Sequence, residues 1–535
     1  MKLVHSMLIA FFVFIVTSNA HAQNFGLIKN KGSTPGYNLF SPFRGTSVYL
    51  MDNAGHLINE WREPSQYASG ATMFLTPQGT LVRTVQSGPN ASPFGAGAGI
   101  GGLIREYDWD GNVIWEYPMK TLGATSHHTM ILLPNGNFLV TAYSRQNCKG
   151  AFICPQIDVP EEGIEKDYFQ SEKLIEIKPN RETGTTEVVW EWNLADHLLP
   201  LDADAAANPH LWGGIGTGGG PGDPRLTPNI NHIDYNAELN QILLSCNSCD
   251  ELWVIEKAPS TEAAAKNTGG FHGKGGGFIY RYGNRYNYGT AAITDKKIDM
   301  QHGARFIKPS DEFGWQLRGK RSDKHARKNR HKRAHNIIFY NNGFSTEDER
   351  AYTEIKPLRD RKGRYMLQDG VFEPSHPTRA FGNLGSPFMG SVQALPNGHT
   401  IINAGVGGTG IQGIAGFPPP GLETGFPIGG ATAIELDKHG HEVWRFVNPL
   451  YSLNQGNVAG LNNRTTDGII GADCPVVANW NAGFGPPAPT NWMFRMMRYS
   501  TDFEGFQGKD MWPKGLITDS GQCIEAPAEP APAES

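Results

Sequence analysis

Six cysteines and seventeen histidines are the side chains of this 535-residue sequence best suited to act as nucleophiles, proton carriers or metal ligands. Cys246 and Cys249 form a C-x-x-C. That spacing serves a redox pair, half of a zinc site or a short structural bridge. No second C-x-x-C completes a zinc set, and no histidine follows Cys249, as haem attachment requires. A bridge is the simplest reading. Histidine chemistry is wider: a neutral imidazole can attack an electrophile, and a second can manage the proton of the leaving group. Composition alone does not select among seventeen. A third chemical feature is the run RGKRSDKHARKNRHKR (318–333). It reads as a solvated insertion loop or as a docking patch for an anionic polymer.

These residues need a scaffold, and the composition narrows it. With 65 Gly and 36 Pro, the chain is punctuated too often for a helical bundle. Apolar content of 39% is enough for a core, and 19% charged residues with a net charge of −5 exclude a charge-rich disordered chain. The acidic balance also argues against a nucleic-acid binder. Two phrases recur. VYLMDNAGHLINEW (48–61), IREYDWDGNVIWEY (104–117), LIEIKPNRETGTTEVVWEW (174–192) and AIELDKHGHEVWRF (433–446) are alternating strands around a Gly-containing turn, ending in Trp. MFLTPQGTLV (73–82), MILLPNGNFLV (130–140) and VQALPNGHTII (392–402) are hairpins turned on Pro-Asn-Gly or Pro-Gln-Gly. They alternate, with the clearest copies about 55–60 residues apart. Weaker copies fall at 252–256 with 278–283 and at 336–343 with 352–357. The pattern predicts an all-β chain, a single β-propeller of about six four-stranded blades.

The ends read differently. Met1-Lys2, the apolar run at 8–16 and Ala20-His21-Ala22 predict a signal peptide over 1–22, hence a periplasmic or secreted protein. No later run is long enough to predict a membrane span. The propeller is expected over 23–515 and a C-terminal extension with a low-complexity tail over 516–535. In an exported chain the even cysteine set suggests Cys148–Cys154, Cys246–Cys249 and Cys474–Cys523, by proximity.

Several stretches, in order, resemble the bacterial aryl-sulfate sulfotransferase family across roughly residues 35–510: GYNLFSP (36–42), HHTMILLPNGN (127–137), NHIDYNAELNQILLSCNSCDELWVIE (231–256), QHGARFI (301–307) and QALPNGHTI (393–401) among them. The resemblance implies an exported six-bladed propeller that moves sulfate from a phenolic ester to another phenol, without nucleotide or other cofactor and without a metal. It implies His302, in the Gln-His motif, as a nucleophile that becomes sulfohistidine. His128 matches the family's acid/base helper, with Thr129 where an Asp is usual. The family's H-x-N and following Arg fall on Asn229, Asn231 and Asn247, so Asn231 is kept while the His and the Arg are replaced by Asn.

Substitute cations are therefore of interest. His232 and Arg305 both have the wrong strand parity for the site unless a bulge re-aims them. Arg495, in NWMFRMMRYS (491–500), reads either as a cation reaching the funnel from the last blade or as a surface arginine. Asn229, Asn231, Asn247, His232, Arg305 and Arg495 are the expected sulfate ligands. A same-scaffold lyase or hydrolase of anionic polysaccharide, and a non-catalytic binding propeller, are the rival readings.

Overall fold

The computed structural model describes residues 26–517 apart from 44, 64–67, 87–98, 100, 148–167, 201–202, 214–227, 289–295, 316–332, 343–351, 374–385, 387–388, 407–430, 455–464, 470–488 and 491. Six antiparallel sheets follow one another as the blades of a propeller. Strands Ala68–Leu75, Leu81–Gln86, Gly102–Tyr107 and Val113–Pro118 make the second blade. The third is built from Ala124–Leu132, Phe138–Asn147, Tyr168–Pro179 and Thr186–Asn193. Ile230–Asn236, Gln241–Cys246, Glu251–Glu256 and Phe278–Gly283 form the fourth, and His302–Phe306, Ile337–Tyr340, Tyr352–Arg359 and Tyr365–Glu373 the fifth.

The ring closes with strands from both ends of the chain. Met496–Ser500 pairs with Gly36–Phe40 and becomes the innermost strand of the first blade, ahead of Ser47–Asp52 and His56–Arg62. Gly515–Leu516 adds to its outer edge. The sixth blade, Ser391–Ala394, Thr400–Ala404, Thr432–Leu436 and Glu442–Val447, gains Gly26–Asn30 as a fifth strand. A separate three-stranded sheet joins Leu450–Asn454, Thr465–Ile469 and Pro489–Thr490.

The recurring phrases have a physical basis. In the Asp-x-x-Gly turns, Asp52 Oδ1 accepts the amides of Ala54 and His56 at 2.8 Å each, and Asp108 Oδ1 those of Asp110 and Asn112 at 3.0 and 2.8 Å. Gly55 and Gly111, at φ 89° and 91°, supply the left-handed residue that closes each turn. In three blades the recurring Trp latches its blade to the next. Trp61 donates its indole N–H to the Asp108 carbonyl at 2.9 Å, Trp192 to Gly276 at 2.8 Å, and Trp444 to Asn53 at 2.9 Å. The core lies in the wedges between blades; Phe74, Trp115, Phe138 and Ile175, for example, fill the space between the second and third. Among the described residues no helix is long and apolar enough to cross a membrane.

Innermost strands break register where the site lies. Pairing shifts between Ser69 and Met73, between Val140 and Ala142 opposite His127–Thr129, between Ile230 and His232, and between His302 and Arg305. In the third blade the Thr141 hydroxyl fills the bulge, donating to the Thr129 carbonyl at 2.8 Å and accepting its amide at 3.3 Å. A bulge of this kind turns side chains off simple alternation.

Candidate active site

His302 opens the innermost strand of the fifth blade. Its Nδ1 lies 2.7 Å from Asn342 Oδ1 and 3.0 Å from the Met300 carbonyl. The Asn342 amide nitrogen donates to the carbonyls of Ser386 at 2.6 Å and Met389 at 2.9 Å, which settles which end of the amide faces the imidazole. Facing two oxygens, Nδ1 carries the proton. Nε2 then carries the lone pair and accepts one long contact, 3.3 Å, from the Met389 amide. Burial pushes the His302 pKa down to about 4, so the ring is neutral at pH 7.

Met300 and Met389, which supply these backbone groups, have φ of 48° and 67°. His128 at 44° and Asp250 at 54° share that left-handed region, and Asp250 Oδ1 accepts the Met300 amide at 2.8 Å. Four of the six described non-glycine residues with positive φ thus adjoin one site. Each such conformation costs roughly 1–3 kcal/mol, and such strain gathers where function requires a fixed geometry.

His127 and His128 are adjacent in a strand, so alternation places them on opposite faces. The left-handed φ of His128 overrides this, and the two Nδ1 atoms meet at 3.0 Å. His127 Nε2 lies 2.9 Å from Glu172 Oε2, and its ring stacks on Tyr143 with centroids 3.8 Å apart. Gly99 abuts the face of His128, where a Cβ would come within 2.6 Å of the ring. Phe494 packs against both candidate catalytic rings, 5.9 Å from His128 and 6.0 Å from His302 between centroids. Burial depresses His128, with the charges of His127, His302 and Arg495 adding to it.

Arg495 is the cation of this cluster. It is 5% exposed, and its Nη2 donates to the His128 carbonyl at 3.0 Å and Thr129 Oγ1 at 2.9 Å. Among the described residues no carboxylate pairs with it. Burial and the neighbouring Arg305 lower its pKa to about 9, leaving it charged at neutral pH. Arg305 is placed differently: its guanidinium pairs with Glu312 and lies 4.6 Å from the Phe313 ring. The bulge after Ile230 brings His232 Nδ1 within 3.5 Å of Thr129 Oγ1, and burial with the charges of Arg495 and Arg305 keeps this ring neutral.

Two of the three asparagines adjoin Gln301. Asn231 Nδ2 donates to the Gln301 carbonyl at 2.7 Å and Asn247 Nδ2 makes a longer contact, 3.4 Å, to the same oxygen. Asn229 accepts the Tyr143 hydroxyl at 3.2 Å through Oδ1. Gln301 Nε2 donates to the carbonyls of Cys246 at 2.8 Å and Glu251 at 2.7 Å. Cys246 and Cys249 form a disulfide that ties off this turn. Among the described residues Asn231 Oδ1, His232 Nε2 and Gln301 Oε1 have no hydrogen-bond partner, and no group of three His, Cys, Asp or Glu side chains is arranged to hold a metal.

Asn342, Glu172, Tyr143, Gln301 and Phe494 were not singled out from sequence as site residues. Gln301 lies in QHGARFI and Asn342 in the weaker repeat copy at 336–343; Glu172 carries no signal beyond being an acid two residues before a recurring phrase. Cys148, Cys154, Cys474, Cys523, the signal peptide and the tail beyond 517 lie outside the described residues. So does the basic run, except Arg333, which pairs with Glu354 at 2.6 Å.

A six-bladed propeller with buried histidines at the inner strands, and a guanidinium that meets no carboxylate among the described residues, is the class of protein defined so far. A sequence model described as Arylsulfotransferase (ASST) matches residues 82–413, more than half of the chain. The chain belongs to the arylsulfotransferase family. No curated protein matches it. Among solved structures, a protein of unknown function from Bacteroides caccae is 12% identical, covering 77% of this chain and 94% of its own, with a TM-score of 0.39. A periplasmic gluconolactonase from Pseudomonas aeruginosa is 11% identical, covering 87% and 99%, with a TM-score of 0.36. At these scores neither match carries an argument about this chain.

Proposed function

We propose that this protein transfers sulfate from a phenolic sulfate ester to an acceptor phenol through a sulfohistidine on His302. The observation that carries the reading is Arg495: a buried guanidinium with no carboxylate among the described residues, set beside two neutral imidazoles. An uncompensated buried charge is expensive, and an oxyanion of the substrate relieves it. Arg495 thereby takes over the charge that the family pattern places where Asn247 stands. Asn231 and Asn247 at the residue before His302, His232 beside Thr129 and Asn229 on Tyr143 are offered as further ligands, and Arg305 as a charge already engaged by Glu312.

In the first half-reaction the His302 Nε2 lone pair attacks sulfur, the N–S bond forms and the S–O bond to the aryl group breaks. Charge developing on the sulfate oxygens and the phenolate is met by Arg495, and His128 protonates the departing oxygen. The second half reverses these steps with the acceptor phenol. Phe494, packed between the rings, offers an apolar wall suited to an aryl group. Nothing in the scheme requires a metal or a nucleotide. Export to the periplasm or medium is part of the proposal, supported by the amino-terminal pattern and the Cys246–Cys249 disulfide, as is a single propeller domain over 23–515.

The test is acceptor-dependent phenol release from a chromogenic aryl sulfate by the oxidised protein, beside His302→Asn. Release that needs the acceptor and falls to background in the variant is expected. Release that survives in His302→Asn rules out the sulfohistidine.

A further inference from the structure

The sulfate-transfer reading uses His128 but leaves its two buried neighbours unexplained. His127 and Glu172 are 2% and 0% exposed and are joined to His128 in a line: Glu172 Oε2 to His127 Nε2 at 2.9 Å, then His127 Nδ1 to His128 Nδ1 at 3.0 Å. Two nitrogens of the same type can meet at that distance only if one of them holds a proton. Glu172 Oε1 accepts the Ile230 amide at 2.9 Å, which fixes the carboxyl and leaves Oε2 for the histidine. Tyr143 fixes the His127 ring by stacking, with the planes 9° apart. The inner end of the line is thus rigid, while no described residue hydrogen-bonds His128 Nε2.

We propose that Glu172, His127 and His128 form a proton relay that delivers a proton to the leaving phenol and resets His128 as the base for the acceptor. This rests on sulfate transfer at His302. In the resting relay the proton of Glu172 Oε2 points to His127 Nε2, the Nδ1 proton of His127 points to His128 Nδ1, and His128 carries its proton on Nε2. As the S–O bond breaks, the phenolate oxygen takes the Nε2 proton of His128. The Nδ1 proton of His127 passes to His128, the Glu172 proton passes to His127, and Glu172 is left as a carboxylate. The substrate's negative charge has moved to Glu172, and sulfo-His302 is neutral overall. His128 now has its lone pair on Nε2. It accepts the proton of the incoming phenol, the phenolate attacks sulfur, the N–S electron pair returns to His302, and the relay runs backward.

Burial agrees with a neutral resting line: it raises Glu172 well above the carboxyl range and pushes His127 down to about 3. The other titratable or charged groups facing the relay are Tyr143 at His127, and His302 and Arg495 at His128. Glu172 and His127 act through His128 and are positioning residues.

The experiment compares wild type with Glu172→Gln on aryl sulfates whose phenols run from nitrophenols to alkylphenols. A Gln amide can donate to His127 Nε2 and accept from Ile230 as the acid does, but it cannot release a proton. The relay predicts that the variant loses roughly 10²-fold in kcat/KM on alkylphenyl sulfates and less than about tenfold on nitrophenyl sulfate, so that dependence on leaving-group basicity steepens. An unchanged slope in an active variant overturns the relay and leaves sulfate transfer standing. Absence of phenol release from wild type overturns both. Because the variant's folding is not guaranteed, nitrogen-15 NMR of the wild-type histidines gives a second readout. A proton on His127 Nδ1 supports the relay, and one on Nε2 at neutral pH overturns it.

Discussion

Arg495 and Arg498 lie three residues apart at the closing strand of the first blade, both buried, and they do opposite work. Arg498 has a carboxylate partner. It pairs with Glu435, donates to Asn38 Oδ1 at 2.8 Å, and lies 4.7 Å from the Trp444 ring centroid. Glu435 also accepts from Thr34 Oγ1 at 2.6 Å and contacts His399 Nδ1 at 2.7 Å. Although burial opposes it, the bonds from His399 and the charge of Arg498 hold this carboxyl below its usual range. This cluster joins the first and sixth blades. Arg495 has a carbonyl, a hydroxyl and three depressed histidines for company, an arrangement that stabilises an anion better than it stabilises the fold. A buried charge with a partner fastens a structure; one with no carboxylate among the described residues is suited to holding an anion.

The largest effect that can break this contrast is on stability. Glu435→Gln strands the Arg498 charge and is expected to destabilise the protein by roughly 3–5 kcal/mol, read from urea unfolding. Arg495→Met should behave oppositely. Its stability stays within about 1 kcal/mol of wild type, while phenol release falls roughly 10²–10³-fold, or about 3–4 kcal/mol in the barrier. A strong loss of stability in that variant with activity retained would erase the distinction. Inorganic sulfate sharpens it further. At one hundred times its dissociation constant it should stabilise wild type by about 2.7 kcal/mol and leave Arg495→Met unmoved, by thermal denaturation.

The last effect concerns protons. Folded His302 and His127 stay neutral down to about 4 and about 3, whereas unfolded histidines take up protons below about 6.5. The unfolded state therefore binds more protons in that window, and stability falls as pH drops from 6.5 towards 4. The slope is up to about 1.4 kcal/mol per pH unit for each histidine. Glu172, held protonated by burial, offsets part of it above the normal carboxyl pKa. Stability that does not change across this window would mean that the histidines are not held neutral.

The propeller was legible because its repeats are local. An Asp-x-x-Gly turn specifies a hairpin within ten residues, and the recurring Trp marks the strand that meets the next blade. Family motifs brought His302 and His128 forward. Strand parity failed at His127 and His232, because bulges and a left-handed φ at His128 redirect the side chains, and nothing in H-H-T or I-N-H announces a bulge. Asn342 and Glu172 reach the site across gaps of 40 and 45 residues. Each is a contact within a single blade, between its inner strand and a segment two strands or one long loop later, and leaves no mark in neighbouring sequence. The closing strand itself, Met496–Ser500 against Gly36–Phe40, was likewise hidden by its separation.

That closure also sets a time order. Arg495 directly precedes the last inner strand, so a chain emerging amino-terminus first presents its histidine-bearing blades well before the guanidinium arrives. Until the ring shuts, the imidazoles have no cation beside them and no Phe494 between them. A chain cut short before residue 494 would carry every histidine of the site and still lack the site.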